Sequence, residues 1–377
     1  MLRFEIEHRE GRARVGKIIT PHGEIKTPAF VGAATRATVK ALTFEQMHKL
    51  GSQAVLANTY HLFLAPGADL IDKCGGLAEF MSWRKPTFTD SGGFQIFSLP
   101  GVKINEDGAE FRSHIDGRKF VMTPELSMQT QWKIGADIHM AFDQLAKSEK
   151  YVDMKRAMER THRWLERCVA ENARLRQEYA EAEKNEQYLY AVVQGGTFLD
   201  LRRESAEFCA KQEVDGFGIG GVFTADGMGE MLKTVCAVLP ENKPRHLLGM
   251  GQEPVDLFVG AEFGCDTFDC VGPTRMARNG ALYTLDGRIN IRNARYTNDL
   301  APVMEDCDCE TCKNYSRAYL HHLFKVDEIT AKVLGSIHNE HFVVSVVDQI
   351  RKTLGTQEFL EYKKAFLERY YAKGGRA

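Results

Sequence analysis

Carboxylates and an amide follow several short apolar runs of the sequence, at the places where buried strands would end. Asp90 and Asp143 close two such runs, Asp269 lies toward the end of a third, and Gln194 and Gly220-Gly221 close two others. A carboxylate directly after buried apolar sequence is costly unless it is paired or functional. Any one of them alone is explained as a cap of the following helix, which Asp does well. The whole set together predicts a shared pocket.

The residue types in this set suit chemistry at a glycosidic bond. Glycosidases use one carboxylate as nucleophile and a second as acid and base. Asp143 and Gln194, with backbone groups of Gly221 and Val222, would suit a planar amide-like ligand. Guanine has such an edge, with two donors and a carbonyl acceptor. The pattern therefore predicts chemistry on a glycosyl bond of a nucleic acid.

The segment directly after Asp269 is rich in arginine. Residues 272–296 contain one acid, Asp286, and five arginines: Arg275, Arg278, Arg288, Arg292 and Arg295. Such a cluster is expected to hold phosphates. The whole chain has 49 basic and 51 acidic residues, a net charge of −2. This balance excludes a globally basic nucleic-acid binder and leaves room for a local patch.

A cysteine cluster, Cys307-x-Cys309-x-x-Cys312, is typical of a zinc site. Zinc prefers four soft or borderline ligands in a tetrahedron, and a site filled by protein ligands is structural. The candidates for the fourth ligand are His321, His322, His338 and His341. The first two lie too close to the cysteines in sequence to fold back easily, so one of the last two is expected. The alternative is three unligated thiols on a surface loop.

Eight short apolar runs recur along the chain, each followed by a turn and a helical pattern. They cover residues 28–32, 54–58, 86–90, 137–143, 189–194, 216–220, 246–249 and 267–271. Continuous apolar runs suit parallel strands that are buried on both faces. Eight such units predict an α/β fold, a (β/α)₈ TIM barrel with its chemistry at the carboxyl ends of the strands. A doubly wound open sheet is the alternative, although no G-x-G-x-x-G motif follows the first strand.

Helix signals lie between these runs. Thr43 and Gln46 form a capping-box pattern, and Thr123-Pro124 places proline at a first helical position. Apolar residues at helical spacing predict one long charged helix over 154–175. A shorter helix is expected over 254–263.

The chain is expected to comprise three parts: the barrel with its catalytic face over 1–296, a zinc-binding subdomain over 297–350, and a C-terminal helix over 351–377 that packs back on the barrel. No run of about 18 apolar residues occurs, so no transmembrane helix and no membrane partner are expected. The first residues are charged and show no signal peptide. With nine cysteines, this indicates reduced thiols and a cytoplasmic protein.

Several motifs together resemble one enzyme family, the bacterial tRNA-guanine transglycosylases, or queuine tRNA-ribosyltransferases. They are 88–95 (FTDSGGFQ), 193–196 (VQGG), 220–221 (GG), 268–275 (FDCVGPTR), 289–294 (INIRNA), 316–323 (SRAYLHHL) and the cysteine cluster with His338 downstream. The match covers nearly the whole chain in order. It implies an irregular (β/α)₈ barrel with a small zinc-binding subdomain near the C-terminus. It also implies exchange of the tRNA wobble guanine for a 7-deazaguanine, in queuosine biosynthesis.

The resemblance assigns roles residue by residue. Asp269 is expected to be the nucleophile on the ribose and Asp90 the general acid and base. The expected base-binding residues are Asp143, Gln194, Gly221, Val222 and Phe94, the last in place of the usual tyrosine. Arg275 and Arg278 match RNA-binding positions, and Cys307, Cys309, Cys312 and His338 match the ligands of a structural Zn²⁺. Tyr315, Tyr319 and His322 fall at the family's homodimer contact.

The sequence departs from the bacterial pattern beside the base pocket. Residues 222–226 read VFTAD where LAVGE is usual, and Gln144-Leu145 replace Glu-Cys. The incoming base is therefore left open between the aminomethyl precursor and queuine, and we expect weaker preference for the precursor. The expected partners are this base and the tRNAs for Asp, Asn, His and Tyr. The alternatives are a non-catalytic RNA-binding subunit of a transglycosylase and a DNA deazaguanine transglycosylase.

Overall fold

The structure is a computed structural model that describes residues 2–221 and 227–372. Its strands are β1 Arg3–Glu10, β2 Ala13–Thr20, β3 Gly23–Thr27, β4 Ala29–Ala33, β5 Ala54–Ala57, β6 Thr87–Thr89, β7 Lys103–Ile104, β8 Ala109–Arg112, β9 Lys119–Met122, β10 Ile138–Met140, β11 Tyr188–Val193, β12 Gly216–Ile219, β13 Arg245–Leu247, β14 Thr267–Cys270, β15 Ala281–Thr284 and β16 Gly287–Asn290. Its helices are α1 Phe44–Lys49, α2 Thr59–Leu64, α3 Ala68–Lys73, α4 Leu77–Met81, α5 Gly93–Phe97, α6 Pro124–Ile134, α7 Tyr151–Glu181, α8 Leu199–Ala210, α9 Met228–Cys236, α10 Pro254–Glu262, α11 Gly272–Arg278, α12 Glu310–Asn314, α13 Arg317–Lys325, α14 Ile329–Thr356 and α15 Phe359–Tyr371.

Among the described residues, eight parallel strands close into a barrel. Their order around it is β10-β11-β12-β13-β14-β4-β5-β6, and β6 pairs with β10 to complete the circle. Each strand overlaps one of the eight apolar runs, so the predicted (β/α)₈ barrel is confirmed and the open-sheet alternative is wrong. Every residue of β11 is buried, as expected for a strand covered on both faces.

The predicted helix signals are also confirmed. Thr43 accepts from the backbone N–H of Gln46, and the Gln46 side chain accepts from the backbone N–H of Thr43. Thr123 caps α6, with Pro124 as its first residue. The long charged helix is α7, with 31 residues. No helix in the described part of the chain is long and apolar enough to cross a membrane.

An antiparallel sheet, β1–β3, precedes the barrel and was not predicted. Its Ile18 and Ile25 join the apolar core of the barrel interior. Arg14 of β2 donates to both carboxylate oxygens of Asp266, at 2.8 and 2.6 Å. Because Asp266 directly precedes β14, this buried ion pair ties the sheet to the amino-terminal end of the barrel. The charged, half-exposed sequence of β1 hid this element from a search for apolar runs.

The C-terminal region packs against the barrel through α14. Asn339, in the middle of that helix, donates to the carbonyls of Pro273 and Ala281 and accepts from the backbone N–H of Tyr283. One buried amide thus joins α14, α11 and β15. The helix runs past residue 350, one of the two predicted domain boundaries; the division at 296 and 350 stays a prediction.

Candidate active site and metal cluster

The strand-end residues singled out from the sequence lie at one end of the barrel. Asp90 follows β6, Asp143 lies just after β10, Gln194 follows β11, and Gly221 lies just after β12. Asp269 is in the last half of β14. Because parallel strands all end on the same side of a barrel, the fold brings these groups to one rim.

Asp90 is held by three donors in a recess of this rim. Its Oδ1 accepts from the backbone N–H groups of Thr59 and Gly92, both at 3.0 Å, and its Oδ2 accepts from the side-chain amide of Asn58. Burial, helped by the nearby charge of Asp269, raises the pKa of Asp90 to about 7, and the three hydrogen bonds oppose this rise. A carboxyl group with such a pKa can both give and take a proton near neutral pH.

Asp269 is held differently, through one oxygen only. Its Oδ1 accepts from the backbone N–H of Gly249 at 2.9 Å and contacts His246 Nε2 at 3.1 Å. No residue in the described ranges donates to Oδ2. That oxygen is therefore available for attack on an electrophile.

Asp143 forms a buried polar group with its neighbours. Its Oδ1 accepts from Ser91 Oγ at 2.7 Å and its Oδ2 from Gln194 Nε2 at 2.6 Å. Burial raises the pKa of Asp143, although both hydrogen bonds oppose the shift. The backbone N–H of Gln194 donates to Ser205 Oγ at 3.1 Å. Since each carboxylate oxygen has two acceptor sites, Asp143 can still accept hydrogen bonds from a ligand.

The loops after β11 and β12 are joined by one buried guanidinium. Arg202 of α8 donates to the carbonyls of Val193, Gly196 and Gly220, at 3.0, 2.8 and 2.7 Å. Gly221 has a φ of +89°, and a Cβ there would lie 2.5 Å from Gln194 Oε1. Glycine is thus required for the close approach of the two loops. Predicted base-binding Val222 lies outside the described residues, with the rest of 222–226.

Phe94 and the residues after Asp143 complete the rim. Phe94 is 66% exposed on α5, an unusual state for a phenylalanine and one that suits a stacking surface. Gln144 is buried and turned toward α7, where its Oε1 accepts from Arg160 at 2.8 Å. Leu145 is half-buried.

The five predicted phosphate-binding arginines divide into two groups. Three are engaged elsewhere: Arg288 pairs with Glu253, Arg292 donates to the Phe324 carbonyl, and Arg295 packs over Tyr296. The other two lie on α11, directly after Asp269. Arg275 is exposed and donates to Gln252 Oε1 at 2.8 Å. Arg278 has a buried Nη1 without a partner among the described residues.

The cysteine cluster and a histidine of α14 come together as a buried group of four. The ligand atoms of Cys307, Cys309, Cys312 and His338 all lie within 4.8 Å of one another. Nδ1 of His338 is 3.8, 3.6 and 3.3 Å from the three sulfurs. The alternative of three thiols on a surface loop is therefore wrong. Three thiolates and one imidazole at this spacing fit a tetrahedral metal ion.

The neighbours of the cluster select His338 over the other candidates. His338 Nε2 lies 2.7 Å from the Tyr283 carbonyl, which leaves Nδ1 free of its proton and facing the sulfurs. His341 contacts Cys307 Sγ at 3.6 Å, but its Nε2 pairs with Asp308. His321 is turned toward the Ile291 carbonyl.

Three residues of the rim were missed by sequence reasoning. Ser91 links the Asp90 segment to Asp143, His246 contacts Asp269, and Arg202 joins two loops. The only signal for His246 is its place at the start of the apolar run 246–249. Arg202 has none, because it looks like any charged residue of an amphipathic helix.

The rim carries a carboxyl group with a pKa of about 7, a carboxylate with one free oxygen, and a polar slot formed by Ser91, Asp143 and Gln194. On a (β/α)₈ barrel, such a set suits transfer at a glycosidic bond. Comparison with known proteins specifies the family. The model for queuine tRNA-ribosyltransferase matches residues 9–372, so the chain belongs to that family. It is accordingly a pentosyltransferase of the tRNA-guanine transglycosylase type.

Curated relatives are similar over almost their whole length. A queuine tRNA-ribosyltransferase of Herpetosiphon aurantiacus is 47% identical over 372 residues, covering 97% of this chain and 92% of the relative. That of Symbiobacterium thermophilum is 46% identical, with 98% and 92% covered. That of Desulforamulus reducens is 45% identical, with 98% and 99% covered.

Proposed function

We propose that the protein exchanges the wobble guanine of tRNA for a 7-deazaguanine through a covalent bond between Asp269 and the ribose. The observation that carries this proposal is the contrast between the two rim carboxylates. Asp269 has one free oxygen, and Asp90 has a pKa near 7. These are the properties of a nucleophile and of an acid and base, respectively.

The exchange takes two displacements at the anomeric carbon. Asp269 Oδ2 forms a bond to C1′ while the bond from C1′ to guanine breaks, and Asp90 gives the departing guanine a proton. The deazaguanine then loses a proton to Asp90 and bonds to C1′, while the bond from C1′ to Asp269 breaks. Asp90 and Asp269 both return to their starting states, so one turnover needs no other reactant.

The base would be read by the slot between β6 and β12. Asp143 would accept from the ring N–H and amine of the base, while Ser91 and Gln194 hold its two oxygens in place. Phe94 would stack on the base face. Gly221 and Val222 would supply backbone groups to the base edge.

The tRNA would be held beside the slot by α11. Arg275 is exposed and Arg278, three residues further along α11, is half-buried, so both suit phosphate oxygens. The acceptors would be the tRNAs for Asp, Asn, His and Tyr, which carry a wobble guanine. The buried quartet would hold a structural zinc ion, which supplies folding free energy when bound.

A homodimer would form through the end of α12 and through α13. Tyr315 and Tyr319 stack with centroids 5.4 Å apart, and Tyr319 and His322 are exposed. An aromatic pair with one exposed member and one half-buried member suits a protein interface. Light scattering of the wild type and of Tyr319→Glu would test this, with a monomer expected for the variant.

Base exchange is the direct test of the function. Each of the four tRNAs carries a labelled guanine at the wobble position. It is incubated with unlabelled guanine, the aminomethyl precursor or queuine, and the labelled guanine that is released is counted. A DNA oligonucleotide of matching sequence tests the DNA alternative.

A denaturing gel tests the covalent adduct: Asp269→Asn should trap no RNA. An adduct in Asp269→Asn would make Asp90 the nucleophile, and no release from any RNA would favour a non-catalytic subunit.

The departures from the bacterial sequence pattern at residues 222–226 and at Leu145 set the test of base preference. Asp226 is one methylene shorter than the usual glutamate, and Leu145 replaces a smaller cysteine. An ammonium group beside a more apolar wall loses hydration without full compensation. We expect the double variant Asp226→Glu with Leu145→Cys to raise kcat/KM for the aminomethyl precursor over guanine by roughly ten- to a hundredfold, the value of one charge-assisted hydrogen bond. An unchanged ratio would make these substitutions neutral.

A further inference from the structure

A buried histidine lies beside the carboxylate of Asp269. His246 is the middle residue of β13, its side chain is 0% exposed, and its Nε2 is 3.1 Å from Asp269 Oδ1. Its ring packs against Phe88 with centroids 5.3 Å apart. Its Nδ1 is 2.8 Å from the hydroxyl of Thr267 on the neighbouring strand. The ring is thus fixed in position from three sides.

The partners of this ring determine where its proton lies. A carboxylate only accepts hydrogen bonds, so Nε2 donates to Asp269. A neutral imidazole then accepts at its other nitrogen, and the Thr267 hydroxyl is placed to donate there. The result is a chain of two hydrogen bonds, from Thr267 to His246 and from His246 to Asp269.

The two oxygens of Asp269 consequently have different roles. Oδ1 accepts from His246 and from the backbone N–H of Gly249, whereas no described residue donates to Oδ2. In the covalent intermediate of the proposed function, Oδ2 is bonded to the ribose and Oδ1 is the carbonyl oxygen of the ester. Oδ1 regains negative charge only when the bond from Oδ2 to C1′ breaks.

The geometry points to His246 as a positioning residue that makes Asp269 a better leaving group in the second displacement. A hydrogen bond to a carboxylate is stronger than one to a neutral ester carbonyl. We call the transfer of the ribose from Asp269 to the incoming base discharge. His246 therefore stabilises the free carboxylate present after discharge more than it stabilises the covalent intermediate. The bond selectively accelerates discharge of the ribose to the incoming base. This inference rests on the proposed covalent route and adds a residue to it.

A matched pair of variants separates this role from simple packing. In His246→Gln the terminal amide nitrogen takes the place of Nε2 and can still donate to Asp269. In His246→Asn the amide is shorter and ends near Thr267, so the bond to Asp269 is lost. Discharge should slow roughly tenfold or more in His246→Asn, the value of a hydrogen bond to a charged group. Adduct formation should change less, and His246→Gln should recover most of the discharge rate.

The two half-reactions are measured separately at fixed pH. Formation is followed by rapid quench with enzyme in excess over labelled tRNA and no added base; discharge is followed after guanine is added to preformed adduct. Thr267→Val, which is nearly isosteric and removes only the hydroxyl, should also slow discharge, by a smaller factor than His246→Asn. It provides a second test if a His246 variant unfolds, which melting curves would show.

The outcomes are distinct. Wild-type discharge rates in both His246→Asn and Thr267→Val would overturn the inference, and so would equal slowing of the two half-reactions. Absence of an Asp269-dependent adduct in the wild type would overturn the proposed function itself and the inference with it.

Discussion

If the proposed function holds, the pKa of Asp90 determines how guanine release depends on pH. In the proposed exchange guanine leaves with a proton from Asp90, so the first displacement would require the protonated carboxyl group. Because burial raises the pKa of Asp90 to about 7, this step should be fast below pH 7 and should fall tenfold for each pH unit well above it.

The size of the effect follows from the shift. With an ordinary pKa of 3.8, the group would be protonated in roughly one enzyme molecule in 1,600 at pH 7; with a pKa of about 7, it is protonated in about half of them. Burial of Asp90, with the nearby charge of Asp269, thus enlarges the protonated fraction by roughly two to three orders of magnitude at neutral pH. The same pKa leaves about half of the molecules ready to take a proton in the second displacement.

Asn58→Ser is the informative perturbation. Asn58 donates to Asp90 and also caps α2, where its side-chain oxygen accepts from the His61 N–H at 3.0 Å. Serine keeps the cap and loses the amide donor. A donor to the charged form lowers a pKa, so its removal should raise the pKa of Asp90 by about one unit.

The assay is single-turnover adduct formation on labelled tRNA between pH 5 and 9. The midpoint of the falling limb should lie near pH 7 in the wild type and higher in Asn58→Ser. Thr297→Ser, a conservative change remote from the rim, serves as the control. A wild-type midpoint below pH 5, or a midpoint that moves down in Asn58→Ser, would refute the assignment of Asp90 as the acid.

Three further outcomes are expected. Cys309→Ser should remove the metal and lower the thermal midpoint together, whereas Cys74→Ser, at an exposed cysteine, should change neither; intact protein without zinc in metal analysis would contradict this. A hydrogen bond to Asp137 raises the pKa of His22. The protonated form of His22 therefore stabilises the fold below about pH 6.5, and this stabilisation is lost as the pH rises through the raised pKa. His22→Gln should therefore flatten the fall in unfolding free energy between pH 6 and 8. Arg275→Ala should flatten the salt dependence of tRNA binding by about one unit of slope and leave base choice unchanged.

The barrel was predictable because its strands are buried on both faces and read as continuous apolar runs. The sheet of β1–β3 was not predictable in this way. In a half-exposed strand such as Arg3–Glu10, apolar residues are separated by charged ones, so no continuous apolar run appears. The packing of Ile18 and Ile25 into the barrel interior depends on tertiary contacts that no local pattern encodes.

The candidate site was predictable where position alone identifies function. Asp90, Asp143 and Asp269 stand out because a carboxylate that ends an apolar run is unusual. The three cysteines are local, but His338 lies 26 residues beyond Cys312, and residue spacing alone did not separate it from His341. The hydrogen bonds that orient each side chain, such as the one that His338 Nε2 donates to the Tyr283 carbonyl, appear only in three dimensions.

Arg202 has a consequence for how this pocket can evolve. Since one guanidinium holds carbonyls of Val193, Gly196 and Gly220, a backbone shift in either loop is transmitted to the other. Substitutions that adapt the pocket to a new base are therefore expected to arise in correlated sets across both loops. Asp90 follows β6 and Asp269 lies in β14, and both are held by other donors. Base preference can thus diverge between lineages while the machinery for exchange is inherited unchanged.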